Sequence, residues 1–126
     1  MAAITYTPSL IYENGTLRRQ FVPGTLAIPQ ATKGFASITV TATTAEADLS
    51  VSTLGTPGLA MVTNLEATTT GKTCNWGWKS STGGIPNYSS LKPKHQHMVY
   101  YGTSSQTIRY KAASGTLQVE FVVFEA

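Results

Sequence analysis

The chain has 126 residues, enough to bury one two-layer core and too few for two independent ones. Its single cysteine, Cys74, excludes an internal disulfide framework, and no stretch approaches the length that spans a bilayer. Charged residues are only 12% and the net charge is +3, while Thr, Ser and Gly abound, so the exposed surface is hydroxylated and near neutral, suited to packing against other proteins.

The chain opens on Met1-Ala2-Ala3-Ile4-Thr5-Tyr6, with no basic segment leading into an apolar run, so synthesis in a cytoplasm without a signal peptide is expected. Residues 1–9 are read as an N-terminal arm. Segments 10–13 and 16–22 flank Asn14-Gly15, whose tolerance of positive φ predicts a tight hairpin. After Pro23-Gly24 and Pro29, segment 35–43 alternates with a period of two, turning Ala36, Ile38, Val40 and Ala42 inward and Ser37, Thr39 and Thr41 outward.

Further strands are predicted over 48–53, 59–64, 72–78, 96–101, 107–111 and 116–124, with turns at Pro57-Gly58, Thr70-Gly71, Gly83-Gly84-Ile85-Pro86, Gly102 and Ser114-Gly115. In the last strand Leu117, Val119, Phe121 and Val123 share one face, and Gln118, Glu120, Val122 and Phe124 the other. Its end is therefore apolar on both sides, as in the middle of a packed sheet or at a subunit contact. No apolar period of 3.6 residues lasts long enough for a helix beyond one turn. The expected fold is all-β: one antiparallel β-sandwich domain over residues 1–126, with about eight short strands.

Candidate chemistry is sparse. His95 and His97, spaced i, i+2, would share one strand face as a metal pair requires, but further ligands could come only from a distant Cys74 or carboxylate, so no metal site is assigned. Asp48 is the only aspartate, no Gly-x-Ser-x-Gly turn is present, and Glu46 with Asp48 is the only close pair of acids, so no enzyme and no cofactor are expected. No acid lies between Glu66 and Glu120, an interval that carries Lys72, Lys79, Lys92, Lys94, Arg109 and Lys111. Arg18-Arg19 is the only adjacent basic pair, and strand neighbours point to opposite faces, so specific nucleic-acid binding is not expected. Cys74, Trp76 and Trp78 alternate along one strand face as core residues do; the alternative is an aromatic platform of Trp76, Trp78, Tyr88, Tyr100 and Tyr101 for a sugar or a base.

One succession of segments goes further. Gly58-Leu59-Ala60-Met61-Val62-Thr63 runs into Asn64-Leu65-Glu66-Ala67-Thr68, followed by Trp76-Gly77, Leu91-Lys92-Pro93, Lys111-Ala112 and an alternating strand that ends in Glu125. This order resembles small virion structural proteins of tailed bacteriophages, over the C-terminal half of the chain. In that pattern an acid often follows Lys-Pro-Gly, whereas here the loop reads Leu91-Lys92-Pro93-Lys94-His95. The resemblance implies a jelly-roll-like subunit located in the virion: a head decoration, or cement, protein that bridges neighbouring capsid subunits, or else a neck or tail component. A carbohydrate- or receptor-binding module using the Trp and Tyr residues is the reading from another class. Implied partners are the major capsid protein or other virion proteins and further copies of the chain, a trimer foremost, with no membrane involved. Loops and termini carry contacts on rigid sandwiches, which makes Tyr6, Tyr12, Arg18, Arg19, Lys79, Tyr88, Lys92, Lys94, His95 and His97 the interface candidates.

Overall fold

The computed structural model describes residues 2–22, 24, 26–30, 34–80, 84–85, 88–101 and 106–125. Among these the protein is all-β, with no α-helix and a single 3-10 turn at Thr68–Thr70. No helix among the described residues is long and apolar enough to cross a membrane. The turns expected at Pro23, Gly83, Pro86 and Gly102 lie outside the described residues.

The chain divides into two compact units, Met1–Lys33 and Gly34–Ala126. In the first, β1 (Ala2–Tyr6) pairs antiparallel with β4 (Leu26–Gln30), and β2 (Leu10–Asn14) with β3 (Leu17–Phe21). Asn14 is paired with Leu17, so the hairpin loop is Gly15-Thr16, one residue later than the sequence suggests. Gly15 supplies the positive φ of 59° that the first central position of such a turn needs. Pro29, which interrupts the sequence pattern, sits inside β4, and that is why this strand is not legible from sequence.

The second unit holds eight strands: β5 (Phe35–Ala42), β6 (Ala47–Asp48), β7 (Pro57–Asn64), β8 (Cys74–Trp78), β9 (Ser89–Leu91), β10 (Gln96–Tyr100), β11 (Ile108–Ala112) and β12 (Leu117–Glu125). They form two four-stranded antiparallel sheets, ordered β10-β7-β12-β5 and β6-β11-β8-β9. Within this unit the first strand pairs with the last, the second with the seventh, the third with the sixth and the fourth with the fifth. A long hairpin rolled across two sheets produces that order, which is the jelly-roll arrangement of a β-sandwich.

The alternations that predict β5 and β12 set the core. Ala42, Leu117, Val119, Phe121 and Val123 are buried, and Ser37, Thr39 and Thr41 are exposed. From the other sheet Cys74, Trp76, Leu91, Ile108, Tyr110 and Ala112 meet them, with the Tyr110 and Phe121 rings 5.3 Å apart. The strand expected over 48–53 shrinks to Ala47–Asp48. Its neighbour β11 begins only at Ile108, which accepts the Leu49 N–H, and beyond that point the chain turns through Leu54 N–H to Val51 O instead. Three-residue β9, too short to show a period, is a strand only because Cys74, Asn75 and Trp76 pair with it.

Candidate functional site

The register of the first sheet fixes what its outer face presents. Ala36, Ile38, Val62, Phe121, Val123 and Val99 turn inward, so Phe35, Met61, Val122, Phe124, Met98 and Tyr100 turn outward. Val122 is paired with Met61 and Met61 with Met98, which makes an apolar row across three strands; Phe35 and Phe124 stack beside it with ring centroids 5.9 Å apart. Phe35 is 67% exposed, Tyr100 51% and Met98 45%. The rest of this face is uncharged apart from Glu120: Ser37, Thr39, Thr41, Gln118 and Gln96, with Leu59 and Thr63 of the central β7 buried on it, and Gln118 donates to Thr41 Oγ1 at 2.7 Å. The sequence reading flags Val122 and Phe124, and Tyr100 as part of an aromatic platform, but not Met61 or Met98, because an apolar strand residue counts toward the core until register assigns its face.

The outer face of the second sheet is of the opposite kind. Arg109, between β6 and β8, reaches Asp48 at 2.7 Å and Glu46 at 3.1 Å, and Lys79 closes on Asp48 at 2.9 Å. Hydrogen bonding from Lys79, then from Arg109, outweighs desolvation and holds the Asp48 carboxyl below the usual aspartate range. Tyr88 donates to Glu46 at 2.9 Å, and the Lys111 ammonium lies 4.5 Å from the Tyr88 ring centre. Two of the interface candidates, Lys79 and Tyr88, thus belong to one ionic cluster in which both carboxylates are already paired.

Lys92, Lys94 and His95 come together in the turn that follows β9, and one buried side chain organises it. Asn64 is fully buried at the end of β7. Its amide donates to Lys72 O at 3.0 Å and Leu91 O at 2.9 Å, and its Oδ1 accepts from Glu66 N–H at 3.1 Å. Asn64 O takes the Lys94 N–H, and Lys94 adopts φ 64°, the only described non-glycine residue with positive φ. Its ammonium donates to Leu65 O at 3.0 Å, and that of Lys72 to Thr116 O at 3.0 Å, so both bind carbonyls and neither forms an ion pair among the described residues.

His95 and His97 do not act as a pair. His95 precedes β10 and is exposed, whereas His97 faces inward and accepts the Trp76 indole N–H on Nδ1 at 3.0 Å. An indole can only donate, so the imidazole proton is on Nε2. Among the described residues no group of three or more His, Cys, Asp and Glu is placed to hold a metal ion. Trp76 is 3% exposed, Trp78 packs edge-on against Tyr101 at 5.0 Å, and Cys74 is fully buried, with burial pushing its thiol up to about 12. These rings build the core and the floor of a groove of about 550 Å³ between β8 and β10, lined also by Ser89, Gln96, Met98 and Val99.

In the first unit Arg18 pairs with Glu13 at 3.0 Å and both are exposed, as is Arg19. Tyr6 and Tyr12 fall on β1 and β2, and their side chains lie outside the described residues. Comparison with protein-family models, curated proteins and solved structures finds no match.

Proposed function

We propose that this protein is a structural component of a bacteriophage virion, foremost a head decoration protein that stabilises the capsid by bridging its subunits. The observation that carries this reading is the outer face of the β10-β7-β12-β5 sheet, where half-exposed Phe35, Met98 and Tyr100 stand beside Met61, Val122 and Phe124 on a nearly uncharged surface. An apolar patch of this kind marks a contact with another macromolecule. The two outer faces differ in chemistry, so the sandwich has a side to dock and an ionic side to present to solvent. The jelly-roll order of the strands and the resemblance of residues 58–125 to small phage virion proteins support the same assignment.

The test is cosedimentation of the purified protein with capsids that lack it, for the wild type and for Val122→Lys. Val122 is half-buried and outward-facing, so the variant should keep its thermal unfolding midpoint within a few degrees while its bound fraction collapses. A wild type that stays in the supernatant, or a variant that binds as well as the wild type, would overturn the reading.

A further inference from the structure

We infer that two copies of this chain join edge to edge through β10, pairing Met98 with Met98 of the second copy across a two-fold axis. Hydrogen-bond parity decides which backbone groups of β10 face its free edge. In an antiparallel ladder, residues that exchange both backbone bonds with the neighbour alternate with residues whose N–H and C=O point away. At the two ends of the β10–β7 ladder, Asn64 N–H donates to His95 O and Tyr101 N–H donates to Gly58 O. Register then assigns His97 and Val99 to the bonds with β7, and it leaves the N–H and C=O of Gln96, Met98 and Tyr100 facing the free edge. Among the described residues no strand pairs with that edge.

An unpaired edge is normally blunted by a charge, a proline or a bulge. Gln96-His97-Met98-Val99-Tyr100 has no lysine, no acid and no proline, and its pairing with β7 is unbroken. A second β10 laid antiparallel with Met98 opposite Met98 sets Gln96 opposite Tyr100 on both sides. Every outward N–H then meets an outward C=O, two bonds at each of the three residue pairs. A shift by one residue would set outward groups against inward-bonded ones and lose them all. In the matching register His97 faces Val99 of the second copy, so the imidazoles are not opposed.

Side chains agree with the backbone on both faces. Outward, the row Val122-Met61-Met98 continues without a break into the same row of the second copy, covering Met98 at the position where it is now 45% exposed. Inward, Val99 of the second copy points toward the groove lined by Trp76, Trp78 and His97. The opposite edge of the sheet, β5, has Phe35 at its start and then offers outward Ser37, Thr39 and Thr41, three hydroxyl side chains, where β10 offers Met98 and Tyr100. The occupant is a second copy because an uncharged strand pairing antiparallel with itself needs nothing complementary from elsewhere. The inference rests on the fold and is independent of the virion assignment.

Sedimentation velocity over a wide concentration range, with hydrogen exchange resolved at single amides, tests it on the full chain. The wild type should form a dimer in which the amides of Gln96, Met98 and Tyr100 are protected like those of His97 and Val99. Met98→Lys should sediment as a monomer in which only His97 and Val99 stay protected, and Thr39→Lys on β5 should leave the dimer intact. Met98→Pro removes one outward donor without touching the bonds to β7; if it fails to fold, Met98→Lys carries the comparison. A wild type that stays monomeric, a trimer, or a dimer whose Gln96, Met98 and Tyr100 amides exchange freely overturns the inference.

Discussion

Replacing Asn64 by Asp changes one atom of a fully buried side chain and keeps its volume, which isolates hydrogen bonding from packing. The Oδ1 that accepts from Glu66 N–H survives, but the group that donates to Lys72 O and Leu91 O becomes an oxygen facing two carbonyl oxygens. Leaving a buried acceptor unsatisfied costs about 1–3 kcal/mol, and the Leu91 contact is the fully buried one of the two. The new carboxyl must in addition be either desolvated as an anion or protonated. The expected loss is about 3–5 kcal/mol, a large part of the stability of a domain this size. Asn64→Ala, which leaves both carbonyls and one N–H unpaired but adds no charge, should cost about 2–4 kcal/mol. Urea unfolding followed by the emission of Trp76 and Trp78 measures both variants. If Asn64→Asp loses less than about 1 kcal/mol, the side chain does not tie these segments together and the account of the 91–95 turn is wrong.

Two further outcomes follow from the charges. Burial raises the Cys74 thiol and the Tyr101 phenol to about 12, above their values in an unfolded chain. The folded state therefore holds protons that the unfolded state releases, and stability is fully present below pH 9 and is lost as pH rises toward 12, by on the order of 3 kcal/mol per group. Urea midpoints that stay flat between neutral pH and pH 11 would contradict this, and Cys74→Ala should remove the earlier part of the decline. On the acid side, Asp48 titrates below its usual range, so the stability it contributes is present above pH 4 and is lost as pH falls through the lowered value. Arg109→Ala should cost about 1–2 kcal/mol, flatten that acid limb and lessen the salt dependence of the unfolding midpoint; an unaltered acid limb would show that the cluster contributes nothing.

What the sequence discloses and what it hides divide along register. The alternations of 35–43 and 116–124 name the inward residues of β5 and β12 correctly, since period two needs no knowledge of neighbours. Asn64 is legible as a polar residue closing an apolar strand, but its partners lie 8 and 27 residues away and only the fold brings them to it. The same holds for Arg109, 61 and 63 residues beyond Asp48 and Glu46. The spacing of His95 and His97 promises a shared face, yet His95 lies before β10 begins, and His97 is turned in toward Trp76. The apolar outer face is the largest omission, and the one sign of it is that Val122 and Phe124 make the last strand apolar on both sides.

The size of that face bears on how the proposed docking can work. Strands about 4.8 Å apart and a rise of about 3.3 Å per residue give a four-stranded face five residues long an area of roughly 300 Å². Stable protein interfaces need about 800 Å² on each partner, so one such face gives at most a weak and rapidly reversible contact. Edge pairing through β10 would join two faces side by side on a rigid sheet and double the apolar surface offered in a single plane. A second contact made within an already bound dimer is intramolecular, and its effective concentration multiplies the two weak affinities. A capsid presents its docking sites in a symmetric array, which is where such gain is available. A protein built this way can hold a particle firmly while binding a free subunit hardly at all, so a weak affinity for isolated capsid protein and tight retention on assembled capsids are compatible properties of one surface.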